Sequence, residues 1–196
     1  MIELPKEKSK PTAINPRHMV LSGKHKSGKT SAVAGLKNCL ILDVEDGSAF
    51  IEGLIMKSPK EYGPVSRYKW LKEVAATIKE AGCPYDYIVI DTLSQLDLDA
   101  EYVGTHIYMN TLQGKKFNRD IQGNILKPSD PSYETVHSLP NGFGYKYSRE
   151  AIMDIFNEFK DLSKICTIFI CHVADKMIAN KAGEEVMVKD LALTGN

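Results

Sequence analysis

Eight consecutive residues, Gly23-Lys24-His25-Lys26-Ser27-Gly28-Lys29-Thr30, fit G-x-x-x-x-G-K-[ST] and constrain the fold more than any other stretch of the chain. In that pattern backbone N–H groups wrap phosphates, the lysine reaches the β- and γ-phosphates of a nucleotide, and the hydroxyl holds Mg2+. The flanks agree. His18-Met19-Val20-Leu21-Ser22 is a short apolar run that predicts a buried strand, and Lys29 to Lys37, with Ala32, Val33, Ala34 and Leu36, predicts a helix ended by Asn38. Strand, glycine loop and helix N-terminus together form an anion site, because unpaired N–H groups and the helix dipole favour negative charge. The phosphate-contacting stretch is therefore Gly23 to Ser31.

Beyond the loop, apolar runs alternate with helical periods. Cys39-Leu40-Ile41-Leu42-Asp43-Val44 is apolar on both faces, as a strand in a helix-covered parallel sheet must be, and it delivers Asp43, Glu45 and Asp46 at its carboxyl end. Residues 48–69 read as a short helix around Ala49 to Met56 followed by a loop; Trp70 to Ala81 has helical spacing, with Gly82 as its stop. Tyr87-Ile88-Val89-Ile90-Asp91 is a third strand closed by an acid. Ile165 to Cys171 is a fourth, preceded by an apolar helical face from Ile152 to Leu162 that Ser148 can cap, and ending at His172. The order β-α-β-α-β predicts a three-layer α/β fold with a mostly parallel sheet.

Residues 104–147 break that rhythm with five glycines and three prolines, and a connection this long is either functional or disordered. Lys115, Lys116, Arg119 and Lys127 alternate there with Phe117, Tyr133, Phe143, Tyr145 and Tyr147, which suits stacking of single-stranded bases beside a positive groove. The alternative is that these rings pack the connection onto the domain. Residues 1–17, with Pro5, Pro11 and Pro16, read as an extended lead-in to a core over 18–196. Residues 174–190 read as a hairpin with its tip at 182–185, after which the chain ends without a clear closing element, as a truncated or minimal core would.

Overall charge excludes little, since 25 basic residues balance 25 acidic ones. Its distribution is informative: residues 1–30 carry seven basic side chains against Glu3 and Glu7, a positive end for any polyanion. The four cysteines show no C-x-x-C spacing, which argues against zinc and for buried thiols in a reducing, cytoplasmic setting. No signal peptide is visible and no apolar run is long enough to span a membrane.

In an open parallel sheet the residues ending successive strands converge on the ligand. Asp91 would hold Mg2+ together with Thr30, unless it is merely a turn or cap residue. Glu45 is placed to polarise an attacking water, in competition with Asp43 and Asp46, unless all three simply solubilise a loop. His172 would meet the γ-phosphate as a neutral donor or a cation, or else serve a structural hydrogen bond. Lys176 could supply charge to the phosphates of a neighbouring subunit.

These parts, in this order, resemble the RecA-like branch of P-loop ATPases, and most closely the small phage-encoded AAA-domain proteins, some of which act in single-strand annealing. Gly23 to Thr30 resembles the Walker A loop, and Tyr87 to Asp91 with Thr92-Leu93-Ser94 resembles the Walker B strand. Leu40 to Glu45 resembles the segment ending in Asp-x-Glu, which implies that Glu45 is the catalytic carboxylate. Thr167 to His172 resembles the strand whose last polar residue senses the γ-phosphate. The resemblance implies an ATPase that uses ATP and Mg2+, with catalysis resting on Glu45, Lys29 and His172, a homo-oligomer and single-stranded DNA as partners, and no membrane association.

Overall fold

The computed structural model describes residues 17–179 and 185–193. Among them lie the strands β1 (His18–Gly23), β2 (Cys39–Asp43), β3 (Leu54–Lys57), β4 (Tyr87–Asp91), β5 (Cys166–Ala179) and β6 (Glu185–Leu191). The helices are α1 (Lys29–Ala34), α2 (Pro64–Glu80), α3 (Leu93–Met109) and α4 (Tyr145–Phe159). The sheet order is β1-β5-β4-β2-β3, all parallel, and β6 pairs antiparallel with the second half of β5. This is the three-layer α/β arrangement that the alternating pattern predicts.

Side chains of successive strand residues point to opposite faces, so each apolar run feeds two cores. Leu40, Leu42, Ile88, Ile90 and Phe169 pack under α2, α3 and α4, where Leu71, Ile155 and Phe159 are fully enclosed. Ile41, Val89, Ile168 and Ile170 face the other way, against Val33 of α1 and the half-buried Leu21 and Leu36. Each such side chain contributes about 1.5–3 kcal/mol on burial. The layers are unequal: three long helices cover one face, and the short α1 serves the other.

Four elements differ from the sequence-based expectation. β1 is not a buried strand but the sheet edge, paired only with β5 among the described residues, and Met19 and Val20 stay exposed. An apolar run reads alike in a central strand and at an edge. The helix expected around Ala49 to Met56 is replaced by the extended β3, which adds to β2 through Leu40↔Leu54 to Asp43↔Lys57. α2 begins at Pro64, six residues before Trp70; proline at a first helical position has no N–H to waste and its φ suits the helix. α1 ends at Ala34 with Gly35 as its cap, earlier than Lys37, and Asn38 instead makes a left-handed turn into β2.

The insertion expected over 104–147 is shorter, because 93–109 is one helix, started by the Thr92 hydroxyl accepting from Gln95 N–H at 3.1 Å. The irregular connection is 110–144, and Ser148 lies inside α4, bonded to His137 Nε2 at 2.9 Å and not capping anything. α3 and α4 share the sheet core through Leu96, Ile155 and Phe159, then continue away from it, packed on each other through Val103 and Ala151. Gly104 permits that contact: a Cβ there would lie 2.8 Å from Ser148 N and 2.9 Å from the Tyr147 carbonyl carbon. A glycine that reads as a helix breaker is thus where two helix backbones touch. The hairpin expected over 174–190 is present as β5–β6, from Val173↔Leu191 outward, and its tip lies outside the described residues apart from Glu185. Of the lead-in, only Arg17 is described. No described helix is long and apolar enough to cross a membrane.

Gly104→Ala is expected to lower stability by about 1–3 kcal/mol, since the backbones must separate to admit one methyl. Alanine's better helix propensity, about 1 kcal/mol, works in the opposite direction. Urea denaturation of the two proteins measures the net; an unchanged or higher midpoint would show that the α3–α4 contact is looser than this geometry.

Candidate functional site

The parallel register sets the strand ends side by side. Gly23 pairs with His172, Ile170 with Asp91, and Asp91 with Asp43, so β1, β5, β4 and β2 present their polar residues along one edge of the sheet. His172 is not at the end of a strand, as the apolar run suggests. It lies inside the long β5, at the point where β1 and β4 stop and the hairpin begins.

The loop between β1 and α1 turns on Gly28, which has φ +82° and precedes the first residue of α1, a conformation side chains with a Cβ rarely adopt. The Lys29 ammonium folds back over this loop, donating to Gly23 O at 3.1 Å and Lys24 O at 2.8 Å, and reaches His172 Nδ1 at 3.3 Å. The next residue, Thr30, donates its hydroxyl to Asp91 Oδ2 at 2.6 Å. Lys24 turns away to Asp175 of β5 at 3.5 Å, and the His25 ring lies 4.7 Å from that of His172.

The three acids after β2 have separate tasks. Asp43 is almost fully buried and accepts from the N–H groups of Glu45 (3.1 Å), Gly47 (3.2 Å) and Ser48 (3.0 Å), and from the Ser48 hydroxyl. With its oxygens thus occupied it shapes the turn, and it is poorly placed to take a proton from water. Asp46 lies at the surface between Lys57 (3.0 Å) and Lys60 (2.7 Å), and these cations hold its carboxyl below the usual range. Glu45 remains, with Oε2 3.2 Å from His172 Nε2. An ammonium only donates, so His172 Nδ1 accepts from Lys29 and Nε2 carries the hydrogen toward Glu45; the network assigns a neutral imidazole.

Lys29, His172 and Glu45 thus form a bonded chain beside the Thr30–Asp91 pair. Both border a cavity of about 500 Å³ lined by residues 25–31, Asp43, Glu45, Gly47, Asp91 and His172, with Phe50 and Ile51 as its apolar side chains. The expected loop residues His25 to Ser31 line this cavity, whereas Gly23 and Lys24 serve Lys29 through their carbonyls. A second cavity of about 380 Å³, between α2, α3 and the 110–144 connection, contains none of the strand-end residues.

Asp91 is buried, and its carboxyl is raised above the ordinary range, first by burial and further by the nearby Asp43 and Glu45 charges, against the opposing Thr30 hydrogen bond. A buried carboxylate beside a hydroxyl, with no lysine or arginine bonded to it among the described residues, is a hard-oxygen pair suited to Mg2+, which keeps several waters and completes its shell with phosphate oxygens. Thr30 and Asp91 would hold that ion.

Sequence reasoning missed Ser48, Ser94 and Asp175. Ser94 accepts from the His172 N–H at 3.0 Å, fixing the backbone at the point where β5 leaves the parallel sheet. Its one signal is position, three residues after Asp91. The connection's aromatic residues are engaged internally. Phe117 and Tyr147 flank Tyr108 at 5.3 and 5.2 Å, Phe143 meets Tyr147 at 5.8 Å, Tyr133 stacks on Tyr102 at 6.4 Å, and Tyr145 stacks on His137 at 4.4 Å. Arg119 donates to its own loop carbonyls, Lys115 O and Gly123 O. Lys176 lies 3.9 Å from Asp190 across the hairpin.

Asp91→Asn tests the burial cost. A carboxyl whose folded-state value is raised is destabilising when ionised, so wild-type stability falls as pH rises through and above the ordinary carboxylate range. In buffer without divalent cations the Asn variant should melt higher than wild type at neutral pH, and the advantage should vanish on acidification. The same variant should lose Mg2+-dependent nucleotide affinity. A lower melting temperature at neutral pH would refute the uncompensated-charge account.

Comparison with known proteins agrees with the geometry. No curated protein matches the chain at a significant level. A family model does: residues 15–192, from just before β1 to just after β6, match the AAA domain. That span contains the phosphate loop, the strand-end acids and β5 with His172, and so the chain belongs to the AAA-domain family of nucleotide-binding P-loop ATPases.

Proposed function

We propose that this chain hydrolyses ATP with Mg2+ at the β1–β5–β4–β2 edge, as a RecA-like motor or switch. The observation that carries the reading is the bonded chain Lys29–His172–Glu45 beside the Thr30–Asp91 pair in one cavity. Phosphoryl transfer to water asks little covalent work of a protein, so positioning and charge supply the catalysis. Lys29 exchanges its loop carbonyls for the β- and γ-phosphate oxygens, and the backbone N–H groups of residues 25–30 take the remaining oxygens. Thr30 and Asp91 would hold Mg2+, which would supply positive charge to offset that of the phosphates. Release of Lys29 frees His172 Nδ1, and the imidazole can then turn to the γ-phosphate while Glu45 accepts the proton of the attacking water.

Among the described residues no arginine borders the cavity: Arg67 is paired with Asp99 at 2.5 Å and Arg119 is fixed in the connection. A homo-oligomer, with a neighbouring subunit contributing the missing cation, fits that composition. The single-stranded DNA partner and a role in phage recombination or replication draw support from the resemblance, from the basic residues of 1–30, and from the hairpin that continues directly from His172. Stacking on the connection draws little, since its rings are engaged with one another and with α3, although Phe143 stays exposed. A second reading, a nucleotide-gated docking module with slow turnover, is favoured by the Lys24–Asp175 contact, which ties the phosphate loop to the same hairpin.

ATPase rates with and without single-stranded DNA across a salt series separate the two readings. Stimulation that fades steeply with salt supports the DNA-dependent ATPase, because phosphate contacts release counterions. Turnover indifferent to DNA favours the docking module. Lys29→Ala should abolish nucleotide binding, and Glu45→Gln should retain binding while lowering kcat by about a hundredfold or more. Wild-type turnover in Glu45→Gln would remove Glu45 as the base.

A further inference from the structure

The connection 110–144 is long for a compact domain, and it contributes no residue to the nucleotide cavity. It is nonetheless a built structure. The buried Asn118 side chain spans it, donating to Glu134 O at 2.6 Å and accepting from Glu134 N–H at 2.8 Å. Val136, fully enclosed, donates its N–H to the Thr105 hydroxyl of α3 at 2.9 Å. Arg119 and Ile125 form an antiparallel bridge over a turn that Asp120 and Asn124 close through their side chains. Fastened in this way, the connection walls the cavity of about 380 Å³ against the second half of α3 and the first turn of α2. That volume lies within the range of small-molecule sites.

The lining combines apolar area with one uncompensated charge. Met109, Ile125, Leu126 and the stacked pair Tyr102 and Tyr133 give it apolar and aromatic walls. Among the described residues no Asp or Glu lines it, and its one permanent cation is Arg119. Arg119 Nε donates to Lys115 O at 2.7 Å and Nη1 to Gly123 O at 2.6 Å, so the loop's own carbonyls hold the guanidinium in place. Among the described residues no carboxylate pairs with it, and nothing bonds its Nη2. A guanidinium braced by neutral carbonyls keeps its charge available at the cavity wall, and its planar fork matches a carboxylate. We propose that this cavity binds a small aromatic carboxylate, with its ring against the tyrosine pair and its carboxylate on Arg119. Aromatic rings gain from stacking beyond the area they bury. A single fixed cation suits a single negative charge, whereas a dianionic phosphate would leave charge unmatched. The site is separate from the phosphate cavity and independent of what that cavity binds.

Methionine-methyl NMR of the full chain tests this, with naphthoate as the probe and its neutral primary amide as the control. Met109 lines this cavity, whereas Met56 lines a separate apolar groove beside Trp70. The Met109 signal should shift saturably with naphthoate while that of Met56 stays in place, and the amide should bind about tenfold more weakly. Arg119→Gln should lower naphthoate affinity by about tenfold and leave that of the amide unchanged. Because Arg119 also braces its own loop, Ser66→Glu provides a second variant. Ser66 is exposed on the first turn of α2 in the cavity wall, where an acid favours the helix and repels a bound anion. It should weaken naphthoate and spare the amide. No shift of Met109 at millimolar naphthoate overturns the proposal. So do equal shifts of Met56 and Met109, which would mark unspecific apolar binding, and equal affinity for the two probes, which would leave an apolar cavity without an anion site. Wild-type naphthoate affinity in Ser66→Glu also overturns it, since the charge would then lie outside the reach of the ligand.

Discussion

One register holds the site together: β5 lies between β1 and β4, so Gly23 faces His172 on one side while Asp91 faces Ile170 on the other. With a different neighbour in that position, the phosphate loop and the Asp91 carboxylate would still end parallel strands, but no side chain would stand between them to join Lys29 to Glu45. The central strand is fixed by burial on both faces, since Ile168, Phe169 and Ile170 are enclosed and leave no freedom to slip by one residue without exposing a core face. Chemistry at the edge therefore inherits its precision from apolar packing beneath it.

The edge concentrates charge that the fold does not fully balance. Asp43 is satisfied by amides and a hydroxyl, and Asp46 by two lysines, whereas Asp91 is buried, and Glu45 has a neutral imidazole for its partner. The Lys29 ammonium lies against backbone carbonyls and His172. A triphosphate with a divalent cation would reverse both imbalances together, giving the ammonium anionic oxygens and the Asp91 carboxylate a cation. Unpaired buried charge is costly in an empty protein and useful in a binding one, which is why such sites stand at the low-stability end of a fold.

Much of this was legible in the sequence, for a definite reason. Buried parallel strands must be apolar on both faces, and the polar residue that ends each run marks the ligand edge, so Asp43, Asp91 and the vicinity of His172 could be read directly. The elements that were misread have other determinants. β3 is a four-residue edge strand with three of its residues exposed, and it carries no alternation long enough to beat a helical reading of Ala49 to Met56. Gly104 looks like a breaker because sequence shows its missing side chain and not the helix that needs the space. The division of labour among Asp43, Glu45 and Asp46 was out of reach, since three acids within four residues are distinguished only by which amides and lysines the turn brings to them.

The aromatic connection shows how composition can mislead about function. Lys115, Lys116, Arg119 and Lys127 interleaved with Phe117, Tyr133, Phe143, Tyr145 and Tyr147 have the chemistry of a base-stacking groove, yet Tyr108 gathers Phe117 and Tyr147 around it, and Tyr102 takes Tyr133. Tyr102 and Tyr108 both lie on α3, which has left the sheet by that point and is covered there by α4, the start of α2 and the connection. A helix in that position must recruit aromatic area from its own loop or leave its apolar face in water, so the rings are explained by the length of α3 before any ligand is invoked. The segment 45–51 presents the opposite case. Its acids are legible in the sequence, and the buried Asp43 carboxylate closes it into the turn that singles out Glu45 by aiming it at His172 in the cavity while Asp46 is left to two surface lysines.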